Sequence, residues 1–457
     1  MLEKPCSSQE TGLKAVKVMM MEKKYGVEVS QKEAEEIKST IRTAYTRLIA
    51  EYIERMKKGW PNRPKVMDYF YEIADFKTRE KELIEAKKEG KKVIGYTCML
   101  APIELILAAD AIPVRVSSGW YDPAKIGNRV VPVEVCPVVR STIGVALVGL
   151  SPFLELSDVL ITPLTCDGMT KLSEIVGDYK PVWTICPPRL KSMDQAQAFW
   201  REQLIKLKEE IERFTGVKIT ANRLKSAIKL THRATRTFRR LQNLRKGRPV
   251  IMGRDAMLVN QTAMWDDLER WSMKAEELCM ELERRAKENV WACSPNAPRV
   301  MITGTPIIWP DNWKLPNLIE EAKPQGVIVA DELCSGDRFL YDPVGVDEGT
   351  MDDLLDAIAE RYLLPSTCPC FTSEKGNEDR VNWLVNRVKE WNVGGVIYYV
   401  YRGCMLYAME YMRIKKALDQ LNVPVYYLDT DYTREDVGQI KTRVEAFLEM
   451  LEARVEI

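Results

Sequence analysis

Short apolar runs recur along this chain in two series, and each run is followed by a stretch with helical spacing. In the first series "KKVIGYT", "AIPVRVS", "SDVLITP" and "KPVWTI" read as strands, with helix-like "PIELILAAD" and "PVVRSTIGVALVG" between them. In the second, "RVMITGTPII", "GVIVAD", "GGVIYYV" and "VPVYYLD" alternate with "TMDDLLDAIAERYL" and "VNWLVNRVKEW". This βα rhythm predicts an α/β fold with two doubly wound parallel-sheet domains of the Rossmann or flavodoxin-like kind. The expected division is a helical N-terminal segment over 1–90, a first α/β domain over 91–194, a helical connection over 195–297, and a second α/β domain over 298–457 that ends in a capped amphipathic helix.

At 457 residues the chain is long enough for two or three cores. A formal net charge of +1 gives no overall pull toward nucleic acid or membrane. The N-terminus lacks the apolar core of a signal peptide, and the greasiest run, "IGVALVGL", is too short to span a bilayer. The expectation is a soluble, cytoplasmic protein.

In that compartment eleven cysteines point to metal or redox chemistry rather than disulfides. A single histidine, His232, argues against the common His-containing zinc sites, and the tight Cys-x2-4-Cys pairs that zinc favours are absent. Position is more telling than number. Cys98, Cys136 and Cys166 in the first domain, and Cys334, Cys368-Pro-Cys370 and Cys404 in the second, fall at carboxyl ends of predicted strands or at helix starts. In doubly wound sheets those ends line one edge, where ligands bind. Each domain thus carries a three-site set, and six thiols converge if the domains face each other. Cys-Met-Leu occurs twice, at Cys98 and Cys404, with Glu104 and Glu410 six residues further on. Cys368 and Cys370 point opposite ways in an extended segment, so one of them is the expected ligand. The reading takes Cys370, with Cys368 as the alternative. A four-iron cubane ordinarily takes one cysteine per iron, so three thiolates per cubane would leave one iron open to substrate or a bridging atom.

The segments "GYTCMLAPIELILAADAIPVRV", "VCPVVRSTIGVAL", "TCDGMTK", "DELCSG", "STCPC", "YRGCMLYAMEY" and "GQIKTRVEAFLEML" occur in this order from about residue 91 to the end. Together they resemble the superfamily of 2-hydroxyacyl-CoA dehydratase and benzoyl-CoA reductase subunits, and most closely its double-cubane cluster protein branch. In the double-cubane branch the resemblance implies an [8Fe-9S] cluster on Cys98, Cys136, Cys166, Cys334, Cys370 and Cys404. In the dehydratase branch it implies one [4Fe-4S] cluster, with Cys98, Cys136 and Cys404 at the matching positions. Both imply low-potential electrons from a separate ATP-dependent iron-sulfur activator, and this chain has no phosphate loop of its own. The expected function is an anaerobic iron-sulfur reductase component acting on a small unsaturated substrate. The alternatives are a subunit of a 2-hydroxyacyl-CoA dehydratase or benzoyl-CoA reductase, or a non-catalytic electron-transfer or scaffold subunit. Expected partners are the activator, a second copy or a related subunit, and a CoA thioester.

Glu332, Asp167 and Asp337 flank these cysteines and are the candidate proton donors. The segment "NRLKSAIKLTHRATRTFRRLQNLRKGR" is basic with a helical apolar stripe, so its charged face, Arg239 and Arg240 included, is either solvated or a dock for an acidic activator or CoA phosphates.

Overall fold

The structure is a computed structural model and describes residues 31–345, 349–373 and 375–455; Cys6 lies outside them. Each predicted strand run contains one strand: β1 (Val93–Tyr96), β2 (Ile112–Arg115), β3 (Val159–Pro163), β4 (Val182–Ile185), β5 (Arg299–Gly304), β6 (Val327–Glu332), β7 (Gly395–Tyr401) and β8 (Val425–Thr430). They form two parallel sheets of identical order, β2-β1-β3-β4 and β6-β5-β7-β8. The fold is α/β, with two parallel-sheet domains and a helical N-terminal segment. Helices cover the faces of both sheets, so the inner strands β1, β3 and β7 and also the edge strand β6 are buried at every residue. That is why they read as continuous apolar runs rather than as alternating ones. The edge strands β2, β4 and β8 keep half-buried positions.

Between the sheets lie the helices Ala196–Thr215, Ala221–Asn243, Gly253–Thr262 and Leu268–Lys287. The apolar stripe of the basic helix is buried as its spacing predicts: Leu224, Ile228, Thr231, Ala234, Phe238 and Leu241 all face inward. Part of its basic face is paired within the chain. Arg233 and Arg240 reach Glu276 and Glu283 at 2.6 Å, and Arg239 Nε donates to the Tyr341 carbonyl at 2.6 Å.

The N-terminal helices Gln31–Gly59, Met67–Ala74 and Lys77–Lys88 pack across both sheets. Tyr45 stacks on Trp120 with ring centroids 4.0 Å apart, and Tyr52 meets Trp309 edge-on at 6.1 Å. The indoles of Trp265 and Trp309 donate to the Ile73 and Ala74 carbonyls at 3.2 and 2.9 Å. Among the described residues no helix is long and apolar enough to cross a membrane.

Phe238 is wholly buried on the helix that joins the two domains. Phe238→Ala is expected to destabilise the protein by about 3–5 kcal/mol, measured by denaturant unfolding.

Candidate functional site

Parallel strands deliver their carboxyl ends to one edge, so residues just beyond β1, β3, β6 and β7 gather there. These are Cys98, Cys166, Cys334 and Cys404. Cys136, Cys166 and Cys404 also occupy the N-caps of the helices Pro137–Val148, Asp167–Gly177 and Met405–Asp419. The Met169 N–H stands 3.4 Å from Cys166 Sγ, and backbone N–H groups of Val138 and Tyr407 point at the sulfurs of Cys136 and Cys404. Free N–H groups at a helix start, with the helix dipole, favour a negative sulfur.

The thiols form two adjoining groups. Cys98 interacts with Cys334 and Cys368, and Cys370 donates to Cys368. Cys404 interacts with Cys136 and Cys166, and Cys368 reaches this second group as well. Each group therefore mixes cysteines of both domains. The three cysteines of each domain thus lie against those of the other, where the ligand edges of the two sheets meet. The two Cys-Met-Leu copies are not topological equivalents: Cys98 follows the first strand of its sheet, Cys404 the third. The counterpart of Cys404 is Cys166.

Gly403 permits the contact. Its φ of 84° is left-handed, and a Cβ there would stand 2.1 Å from the Glu134 carbonyl oxygen and 3.0 Å from the Cys136 nitrogen. Only glycine lets this backbone lie on residues 134–136 and bring Cys404 beside Cys136.

Burial raises most of these thiols: Cys98 to about 12, Cys136 to about 11, with Cys166 and Cys404 also moved upward. Cys368 moves down, because the Cys370 thiol donates to its sulfur, against the effect of burial and with help from Arg338. Cys370 keeps the proton and moves up. Cys368 is thus the readier thiolate of the pair.

Among the described residues no three His, Cys, Asp or Glu side chains are placed to hold a single metal ion. A cluster that binds each thiolate through a different iron needs a wider shell, and soft sulfur donors suit it. The surroundings fit such a group. Three arginines missed in the sequence face the thiols: Arg115, whose Nη1 donates to the Cys334 carbonyl at 2.7 Å and whose Nη2 lies 3.7 Å from Cys334 Sγ; Arg338, beside Cys334 and Cys368; and Arg189, beside Cys166 and Cys370. Arg338 Nη1 and Thr97 Oγ1 are buried without a hydrogen-bond partner among the described residues, as donors awaiting a buried anion would be. Arg115 closing the buried strand "IPVRV" was the available signal.

The candidate acids have distinct surroundings. Glu332 is fully buried; burial works against its charge, but Arg338 and Arg380 with the Thr303 and Thr367 hydroxyls outweigh it and hold the carboxyl below the usual range. The Thr303 and Thr367 hydroxyls donate to it at 2.6 and 2.8 Å. Burial, opposed by Arg387 and aided by Asp331, raises the Asp337 carboxyl to about 7. Asp167 is exposed at the start of its helix. Glu104 is buried and accepts from the Tyr362 hydroxyl at 2.8 Å, and Glu410 pairs with Arg380 and accepts from Asn377 Nδ2 at 3.1 Å. Cys186 is exposed, while Cys279 and Cys293 are buried as core residues.

A small cavity of about 50 Å³ adjoins the first thiol group at Arg115 and Ser335. Phe76, Trp120, Phe153, Trp265 and Trp309 form much of its wall.

The model of the 2-hydroxyglutaryl-CoA dehydratase, D-component, family matches residues 98–451. An Escherichia coli protein named as a dehydratase subunit is 29% identical over 85% of this chain and 98% of its own. The (R)-phenyllactyl-CoA dehydratase β subunit of Clostridium sporogenes is 26% identical over 84% and 98%, and the (R)-2-hydroxyglutaryl-CoA dehydratase β subunit of Acidaminococcus fermentans 25% identical over 81% and 95%.

Gly403→Ala is expected to cost about 2 kcal/mol or more of stability. It should also speed the labelling of Cys136 and Cys404 by thiol reagents, followed by mass spectrometry.

Proposed function

Because the chain belongs to the 2-hydroxyglutaryl-CoA dehydratase D-component family, we propose that it is an iron-sulfur subunit of an enzyme that removes water from a 2-hydroxyacyl-CoA thioester. A separate ATP-dependent activator supplies it with low-potential electrons. The observation that carries this reading is the convergence of thiols from both domains on one buried place edged by arginines. The β-subunit names of two relatives support a second, unlike subunit as its partner.

When bound, the cluster supplies one-electron reducing power at low potential. A single cubane would be held by Cys98, Cys136 and Cys404, and a double cubane by Cys98, Cys334 and Cys368 together with Cys136, Cys166 and Cys404. This assignment takes Cys368 in place of Cys370, since Cys368 is the readier thiolate of the pair. Arg115, Arg189 and Arg338 and the three helix starts offset the negative charge that thiolates bring into a dry site. Glu332 acts as a positioning residue that aims Arg338 and Arg380, and its ionised, doubly paired state makes it a poor proton donor. Asp337 has the pKa suited to giving up a proton near neutral pH, and Asp167 has the access to solvent.

The two three-thiol groups favour a second reading in which each holds a cubane and the chain is a double-cubane reductase of a small unsaturated substrate.

Iron and acid-labile sulfide measured after anaerobic purification separate the readings. About four irons per chain are expected for the subunit with one cubane and about eight for the double cubane; fewer than about four would sink both. Cys98→Ser and Cys136→Ser should each remove about half of the iron if two cubanes are loaded, and each should remove nearly all of it if a single cubane is held by Cys98, Cys136 and Cys404. Cys370→Ser should retain more iron than Cys368→Ser.

A further inference from the structure

The helix Met405–Asp419 has two apolar faces. Tyr407, Ile414 and Leu418 on one of them are buried against β7 and β8. The other stands in water: Met405, Met409 and Met412 are 66%, 77% and 67% exposed. Steps of four and then three residues put these methionines in one stripe, the spacing of a helix-pairing seam. Val133, 59% exposed, extends the apolar surface at the helix start, where Gly403 lies on the backbone of 134–136. A helix that is apolar on both faces is ordinarily covered on both, and nothing among the described residues covers this stripe.

Its layout is complementary to itself. In a two-fold contact residue i of one copy meets j of the other, and j meets i. With two such helices antiparallel and the axis between residues 408 and 409, Met405 of each copy meets Met412 of the other. At the centre each Met409 falls on the small Ala408 opposite, large against small. Charge selects the same arrangement. Glu134 and Lys416 are exposed and have no ion pair among the described residues. Glu134 stands at the start of the stripe beside Gly403, and Lys416 lies four residues beyond Met412 on the same face. An antiparallel pair brings each Lys416 to the other copy's Glu134, whereas a parallel pair sets like charge against like. The neighbouring charges are matched within the chain, Arg402 with Asp429 at 3.3 Å, Lys415 with Asp419 at 2.5 Å and Arg413 with Glu378 at 4.0 Å. The rim therefore carries no single-sign field that would repel a second copy.

We infer that this methionine face is where two copies of the chain meet, as an antiparallel helix pair about a two-fold axis. Because the helix starts at Cys404, the contact also brings two thiol sites to one interface. A rise of about 1.5 Å per residue and an interaxial distance of about 9 Å put the two Cys404 residues roughly 16 Å apart. The inference stands independently of the thioester and cluster readings.

Sedimentation equilibrium of the anaerobically purified full chain tests it. The wild-type chain is expected to be dimeric at about 10 μM. Met409→Asp, which sets a carboxylate against Ala408, should weaken dimerisation at least about thirtyfold. Lys416→Glu should weaken it about tenfold, since like charges then meet at both ends. Adding Glu134→Lys to Lys416→Glu re-forms both pairs with the signs exchanged and should return the affinity to within about threefold of wild type. The substituted side chains are exposed, so circular dichroism and iron content should match those of the wild type in every variant. A monomeric wild-type chain, a dimer indifferent to Met409→Asp, or no recovery in the double charge reversal would overturn the inference. So would a chain that stays monomeric alone and loses binding of an added unlike subunit on Met409→Asp, because the occupant of the stripe is then that subunit.

Discussion

Bringing six or seven sulfurs into one dry place is the constraint on which the rest of this structure depends. Burial alone drives the thiols toward their neutral forms, as the raised values of Cys98 and Cys136 show. The fold opposes that tendency with two devices. Three helices begin at a cysteine, which places its sulfur at the positive end of the helix, and at Cys166 the Met169 N–H donates to it. Arginines then close the site from the sides, and they are themselves secured: Arg338 and Arg380 by the buried carboxylate of Glu332, Arg115 by the Cys334 carbonyl. Such arginines and carboxylates are costly to bury singly, and their mutual pairing is what makes the arrangement tolerable.

The parallel-sheet architecture was legible because its strands are buried on both faces. "VIGY" and "GVIYYVY" carry no polar alternation to obscure them, and each lies close to where its apolar run places it. The cysteine positions were legible for the same reason, since a residue just after a parallel strand has little choice of edge. What escaped was anything set by the meeting of two domains. No spacing relates Cys98 to Cys334 or Cys404 to Cys136, and local sequence cannot report that Gly403 lies on the backbone of 134–136. The Cys368-Pro-Cys370 pair shows the limit well: alternation says the two point apart, but only the folded loop sets one thiol against the other and moves them in opposite directions. Glu332 looked like a candidate acid because it sits beside Cys334, and the two arginines that clamp it come from elsewhere in the chain.

The N-terminal segment changes in meaning most. As sequence it is a charged helical stretch with no motif. In the fold its aromatic residues bind Trp120 on one side and Trp309 on the other, so it ties the two domains together while supplying Phe76 to the cavity.

The mixed parentage of the two thiol groups has a further consequence. Because each group takes cysteines from both halves of the chain, neither half owns a complete set, and the proposed cluster would require two folded domains correctly apposed. Held in this way it would double as a proofreader of assembly: a molecule whose halves had folded but not closed would have nowhere to keep it, and would remain silent instead of carrying exposed, oxygen-sensitive metal.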